Sequence, residues 1–196
     1  VTDFGVEPKL GPFYVMELLD GETLEDRLER VHHLNANEAI PIAIDLCEAL
    51  AEVHEAGIIH RDLKPSNVGL TRTGPVRVKL LDFGLAAAMD GAALERITRS
   101  QEVVGSLPYM APERFHNSTL TYSIDLYALG VVFYEMLTGV QPFRATNDMA
   151  LVLKIPREVP RPPNEIARWI PTPLSGLIMR ALAKKPSKRQ QTDAQM

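Results

Sequence analysis

Apolar residues recur every three or four positions along much of the chain, a spacing typical of amphipathic helices. The longest such segment, residues 36–54, places Ile40 and Ile44 on this repeat and is followed by Gly57, a residue type that commonly ends helices. Residues 122–137 are strongly apolar, which predicts a buried helix. The same repeat predicts shorter helices at 23–31, 147–153 and 173–183.

Short apolar runs without helical spacing predict a few strands. Residues 12–19 (PFYVMELL) form one such run, which ends at the turn residues Asp20-Gly21. Residues 67–70 and 77–81 flank a Gly-Pro turn and are typical of a hairpin-like pair. Residues 82–106 show no sustained repeat, which predicts a long loop. The pattern as a whole predicts a fold that is mainly α with a small β component.

Composition narrows the class of protein. The 196 residues are 45% hydrophobic and 23% charged with a formal net charge of −4, as in a folded globular domain and unlike a disordered chain. The single cysteine, Cys47, excludes an internal disulfide. Mixed charges give no reason to expect a nucleic-acid partner. The most apolar stretch, 127–137, is too short to span a bilayer and contains Glu135, so we expect no membrane contact from this segment.

The side chains best suited to catalysis and metal binding lie in the middle of the chain. The run HRDLKPSN at 60–67 contains Asp62, Lys64 and Asn67, and a second carboxylate, Asp82, follows in Asp-Phe-Gly. Phosphoryl transfer needs a carboxylate to accept the proton of the attacking hydroxyl, a cation on the moving phosphate and oxygen ligands for Mg²⁺. Asp62, Lys64 and the Asn67/Asp82 pair supply these in turn.

Three motifs in this order, HRDLKPSN, Asp82-Phe83-Gly84 and Ala111-Pro112-Glu113, resemble the signature of eukaryotic-type protein kinases. The resemblance implies a partial kinase domain: residues 1–19 would be the end of the N-terminal lobe and the hinge, and residues 20–196 the C-terminal lobe, cut at its last helix. The Gly-rich loop and strand lysine of the family would precede residue 1. We therefore expect a piece of a larger protein that binds ATP weakly by itself.

Two places in the sequence resemble the serine/threonine subclass: Lys64, two residues after the catalytic aspartate, and residues 105–109 (GSLPY). The sequence as a whole is most similar in character to bacterial members of the family. The resemblance implies ATP and Mg²⁺ as cofactors, protein serine and threonine hydroxyls as substrates, and a cytoplasmic location for this domain. It also implies that Ser106, where the family usually has Thr, links Asp62 and Lys64 by its hydroxyl and belongs to the catalytic group.

The resemblance assigns further residues to nucleotide binding. Met16 would be the gatekeeper, and the backbone of Glu17 and Leu19 would bind the edge of the adenine. Gly69 stands where many relatives carry a large apolar side chain under that ring, so we expect an emptier pocket floor. Another Asp-Phe-Gly, at residues 3–5, precedes the hinge and is interpreted as a chance match.

Regulatory and structural roles follow from the same resemblance. Arg61 would pair with a phosphate on the loop, for which Thr98 and Ser100 are the candidate acceptors. Asp125 would hold the backbone of the HRD segment, and Arg189 would pair with Glu113. We expect three other residues to have structural roles only. His54 would be a surface or helix-packing residue, and Trp169 and Phe143 would lie in the core.

The sequence is also compatible with two alternatives to a protein kinase. A pseudokinase or kinase-like binding scaffold could keep all of these motifs while lacking the strand lysine, which would lie upstream of this chain. A small-molecule phosphotransferase of related fold is disfavoured by Lys64 and by residues 106–113, which in protein kinases dock the substrate peptide.

Overall fold

The computed structural model describes residues 3–7, 11–72, 76–82, 105–115 and 120–196. Helices dominate this part of the chain, so the expectation of a mainly α fold with a small β component is confirmed. The helices are α1 (Leu24–Val31), α2 (Ala36–Glu55), α3 (Ser123–Thr138), α4 (Asp148–Lys154), α5 (Pro163–Ile166) and α6 (Thr172–Ala181). The strands are β1 (Asp3–Glu7), β2 (Gly11–Val15), β3 (Gly21–Thr23), β4 (Val68–Thr71) and β5 (Val78–Leu80).

The predicted helices are confirmed with small shifts at their ends, and polar caps set several of the starts. The side chains of Thr23, Asn35 and Asn147 accept hydrogen bonds from backbone N–H groups in the first turns of α1, α2 and α4. Helix α5 begins with Pro163, a residue type that is common at the first position of helices. The residues after Thr192 form a short 3₁₀ turn, Asp193–Gln195, without a side-chain cap.

The strands form two small antiparallel sheets. Strand β1 pairs with β2, and β3, β4 and β5 form the second sheet in that order. The hairpin of β4 and β5 confirms the expected pair. The strand predicted at 12–19 is wrong in its second half, because it ends at Val15 and no strand among the described residues pairs with 16–19. Strands β1 and β3 were not predicted, and the Asp-Phe-Gly at residues 3–5 lies in β1.

Helix α3 lies at the centre of the core, which confirms the prediction of a buried helix. It packs against α2 and α6, and an added Cβ at Gly130 would come 2.7 Å from the Cβ of Ala181, so glycine permits the close approach of α3 and α6. Phe143 is buried as expected, whereas Trp169 is 44% exposed and is not a core residue. In the described ranges, no helix has both the length and the apolar character needed to cross a membrane.

Candidate active site

Helix α3 fixes the backbone of the segment that carries the candidate catalytic residues. Asp125, 1% exposed in the first turn of α3, accepts the N–H of His60 at 2.8 Å through Oδ2 and that of Arg61 at 2.9 Å through Oδ1. This confirms the expected role of Asp125. Arg61 has a φ of +70°, a left-handed conformation that costs energy for a residue with a Cβ. Its carbonyl also accepts a hydrogen bond from Arg114, so both the N–H and the carbonyl of Arg61 are hydrogen-bonded.

Lys64 and Asn67 surround the carboxylate of Asp62. Lys64 Nζ lies 2.9 Å from Oδ2 of Asp62 and donates to Oγ of Ser106 at 2.7 Å. Asn67 Nδ2 donates to the carbonyl of Asp62 at 2.8 Å and to its Oδ2 at 3.1 Å. We expected the hydroxyl of Ser106 to link Asp62 and Lys64. Instead, the ammonium of Lys64 lies between the other two and contacts both Asp62 and Ser106. These bonds engage Oδ2, while Oδ1 of Asp62 has no hydrogen bond within the described residues and can accept a proton.

Asn67 and Asp82 are brought to the same end of the β4/β5 hairpin. Leu81 donates its N–H to the carbonyl of Asn67 at 2.9 Å, which places the residue after Leu81 close to Asn67. Asp82 has a φ of +54°, a conformation that is unusual outside glycine and is often found at functional sites. Because both hydrogen bonds of the Asn67 side chain use Nδ2, its oxygen Oδ1 remains as a ligand atom.

The donor set fits Mg²⁺ better than a metal held by protein ligands alone. Where the structure describes the chain, no three His, Cys, Asp or Glu side chains are grouped so that they could hold a metal ion. One carboxylate and one carboxamide oxygen would bind an ion only together with other oxygens. Mg²⁺ is bound in this way, by one or two carboxylates together with phosphate oxygens of the substrate.

Of the candidate adenine residues, Met16, Glu17 and Leu19 lie between β2 and β3, and Gly69 lies in β4. Met16 and Glu17 are exposed, and Glu17 forms an ion pair of 2.7 Å with Lys79. The hydrogen bond and charge of Lys79 lower the pKa of Glu17. The side chain of Leu19 packs directly over Gly69, since an added Cβ at Gly69 would lie 2.7 Å from Leu19 Cδ2. Leu19 thus occupies the space that we expected the small residue at 69 to leave empty.

The proposed phosphate acceptors cannot be placed beside Arg61. Thr98 and Ser100, together with Phe83 and Gly84, lie outside the described residues. The pairing of a phosphate on Thr98 or Ser100 with Arg61 stays a prediction.

A buried histidine near the site was not recognised from the sequence. His54 is 8% exposed; its Nε2 lies 2.9 Å from Oδ2 of Asp125, and its Nδ1 lies 3.0 Å from Oδ2 of Asp193. The expectation of a surface or helix-packing residue missed these carboxylate partners. A signal was present, because His54 continues the four-residue spacing of Leu46 and Leu50 and therefore falls on the buried face of α2.

The ion pair of Arg189 and Glu113 is confirmed. Arg189 is 0% exposed and binds both carboxylate oxygens of Glu113, at 2.6 and 2.7 Å. It also donates to the carbonyls of Ser123 at 2.9 Å and Ala183 at 2.8 Å. This one side chain joins the Ala-Pro-Glu motif, the start of α3 and the segment that follows α6.

Comparisons with known proteins agree with this arrangement. Residues 8–196 match the model of the protein kinase domain family. The chain is 40% identical over 192 residues to a probable serine/threonine-protein kinase of Clostridium perfringens, covering 98% of this chain and 27% of that protein. It is 38% identical over 185 residues to the serine/threonine-protein kinase PknB of Mycobacterium leprae, covering 94% and 29% respectively. The chain thus spans less than a third of the length of these relatives. The family match over nearly the whole chain shows that it belongs to the protein kinase family.

Proposed function

We propose that this chain forms the catalytic-lobe region of a serine/threonine protein kinase, which transfers the γ-phosphoryl group of ATP to serine and threonine hydroxyls of proteins. The observation that carries the proposal is the arrangement of Asp62, Lys64 and Asn67 on a backbone held by buried Asp125. Both relatives named above are described as serine/threonine-protein kinases, which supports the same function here. In this proposal residues 20–196 are the C-terminal lobe, and residues 1–19 are the end of the N-terminal lobe and the hinge.

Each polar group of the site has a defined part in the reaction. A bond forms between the substrate hydroxyl oxygen and the γ-phosphorus, the bond to the β,γ-bridging oxygen breaks, and the hydroxyl proton passes to Asp62. Two donors at Oδ2, from Lys64 and Asn67, orient the carboxylate so that the other oxygen can take this proton. Lys64 also stabilises negative charge on the transferred group. Ser106 accepts a hydrogen bond from Lys64 and so fixes the position of the ammonium.

Protein kinases generally use ATP and Mg²⁺, and specific residues of this chain would hold them. Oδ1 of Asn67 and the carboxylate of Asp82 would be the protein ligands of the metal. When bound, Mg²⁺ neutralises charge on the phosphates. Met16, Glu17, Leu19 and Gly69 would surround the adenine, with Leu19 supplying apolar contact over Gly69.

The metal assignment predicts a specific defect in Asp82→Asn. The carboxamide lacks the negative charge that favours a divalent cation, so the Mg²⁺ concentration for half-maximal rate should rise by about tenfold or more. The measurement is the initial rate of phosphorylation against Mg²⁺ in the protein expressed from its complete reading frame. Asp148→Asn, on α4, is the control and should leave the Mg²⁺ dependence unchanged. An unaltered Mg²⁺ dependence in Asp82→Asn would exclude this residue as a ligand.

The packing of Leu19 over Gly69 predicts the effect of truncating each of two adjacent leucines. Leu19→Ala removes apolar contact from the nucleotide site and should raise the KM for ATP by about three- to tenfold, with kcat nearly unchanged. Leu18 is 95% exposed, so Leu18→Ala is a matched control that should leave KM unchanged. Equal KM values for the two variants would show that Leu19 does not line the nucleotide site.

A further inference from the structure

The imidazole of His54 connects two carboxylates that come from distant parts of the chain. Asp125 belongs to α3, and Asp193 belongs to the 3₁₀ turn Asp193–Gln195, close to the last residues of the sequence. Oδ2 of Asp125 contacts Nε2 of His54 at 2.9 Å and also accepts the N–H of His60 at 2.8 Å. The same carboxylate oxygen therefore holds the catalytic segment on one side and His54 on the other.

Two carboxylates around one imidazole determine how many protons the ring carries. A neutral imidazole has one N–H, whereas an imidazolium has two and can donate to both Asp125 and Asp193. Burial alone would lower the pKa of His54, but the hydrogen bonds and charges of the two carboxylates outweigh this effect and raise the pKa to about 9. At neutral pH His54 is therefore a cation with a partner at each nitrogen.

The other groups around this cluster do not alter that balance near neutral pH. The ring of Tyr122 stacks on His54 with centroids 4.4 Å apart. The thiol of Cys47, on the same helix as His54, stays protonated because burial and the charge of Asp193 raise its pKa to about 12.

A positive charge at His54 matters because Asp125 is 1% exposed. An ionised carboxylate in such surroundings needs hydrogen bonds and a nearby cation. The imidazolium supplies both at Oδ2, and Asp193 keeps the imidazole protonated and fixes the plane of its ring. Removing the charge of Asp193 would lower the pKa of His54, so the imidazole would lose its positive charge more easily. Asp125 would then hold the backbone of His60 and Arg61 less firmly.

We propose that Asp193 is a positioning residue for the catalytic segment, acting through His54 and Asp125 rather than by contact with substrate. The proposal rests on the function proposed above for Asp62, but it makes a structural statement that can be tested without kinase activity. Asp193 would thus help to set the geometry of the site, although it is far from the catalytic segment in the sequence.

The first test is an NMR titration of His54 in the unmodified chain and in Asp193→Asn. Asparagine keeps the size of the side chain and an oxygen that can accept from Nδ1, but it has no charge. The pKa of about 9 should fall by about 1 to 2 in the variant, and amide hydrogen exchange at His60 and Arg61 should become faster. The control is Ser175→Ala, which removes a buried hydrogen bond to Asn164 and should change neither reading. A His54 pKa below 7 in the unmodified chain, or equal values in the two proteins, would overturn the proposal.

The second test separates positioning from a general loss of stability. In the protein expressed from its complete reading frame, Asp193→Asn should have a kcat close to that of the unmodified enzyme at pH 6.5. At pH 8.5 its kcat should be about five- to tenfold lower, with KM for ATP unchanged, because the imidazolium is then lost in the variant. Asp193→Glu, which restores the charge, should recover most of this activity. An identical kcat ratio at both pH values would contradict the proposal. If the protein proves to have no kinase activity, the proposed function fails, and the titration and exchange results still decide the role of Asp193.

Discussion

Asp62→Asn is expected to lower kcat for phosphoryl transfer by about 10²- to 10⁴-fold, the range that a lost general base produces. The carboxamide cannot take the proton of the attacking hydroxyl. The substitution also removes the negative charge that attracts Nζ of Lys64, which lies 2.9 Å away, so the ammonium is held less firmly in the site. Ground-state binding of nucleotide does not depend on the proton acceptor, so KM for ATP should change little.

The measurement is steady-state phosphorylation of a protein substrate by the protein expressed from its complete reading frame. Asp45→Asn is a matched control, since Asp45 is also a partly buried aspartate and accepts the N–H of Val78 at 3.2 Å, which asparagine can also do. The control should retain nearly full kcat. A kcat for Asp62→Asn within threefold of that of the control would show that another group accepts the proton.

Arg189→Met is expected to lower the free energy of unfolding by about 3–5 kcal/mol, the cost of breaking a buried ion pair by removing one partner. The carboxylate of Glu113 would lose both charged hydrogen bonds, and the carbonyls of Ser123 and Ala183 would lose a donor. Methionine fills much of the apolar volume of the arginine stem, so the loss comes mainly from unpaired polar groups.

Urea unfolding of the chain measures this effect. Arg30→Met is the control, because Arg30 pairs with Glu22 at the surface with its side chain 58% exposed, and such pairs contribute about 0–1 kcal/mol. The double variant Glu113→Gln/Arg189→Met should recover part of the stability, since it no longer buries an unpaired charge. If Arg189→Met lost no more stability than Arg30→Met, the ion pair would not be a main support of the fold.

The helices could be predicted because apolar spacing and polar caps are local properties of the sequence. Strand β3 could not, because Gly21–Thr23 has no apolar alternation and exists through its pairing with β4. An added Cβ at Gly21 would lie 2.0 Å from the carbonyl oxygen of Leu70, so the glycine is needed only in the paired state. The predicted strand at 12–19 failed in its second half for the related reason that an apolar run needs a neighbour to become a strand.

The candidate catalytic residues could be predicted because a short motif carries most of them. Asp62, Lys64 and Asn67 lie within one loop, and the structure brings Ser106 to the same place. The contact of His54 with Asp193 joins residues 139 positions apart, so no local pattern could indicate it. Apolar spacing placed His54 on a buried face, but only the tertiary structure shows which carboxylates it meets.

The identity of the phosphorylated amino acid shows directly whether this protein is a serine/threonine kinase. The protein expressed from its complete reading frame would be incubated with Mg²⁺, radiolabelled ATP and a protein substrate, and the labelled amino acids would be identified after hydrolysis. We expect phosphoserine and phosphothreonine, and labelling by the Asp62→Asn variant that is slower by about 10²- to 10⁴-fold. ATP binding without any transfer, as in a binding scaffold, or transfer only to a small molecule would contradict this expectation.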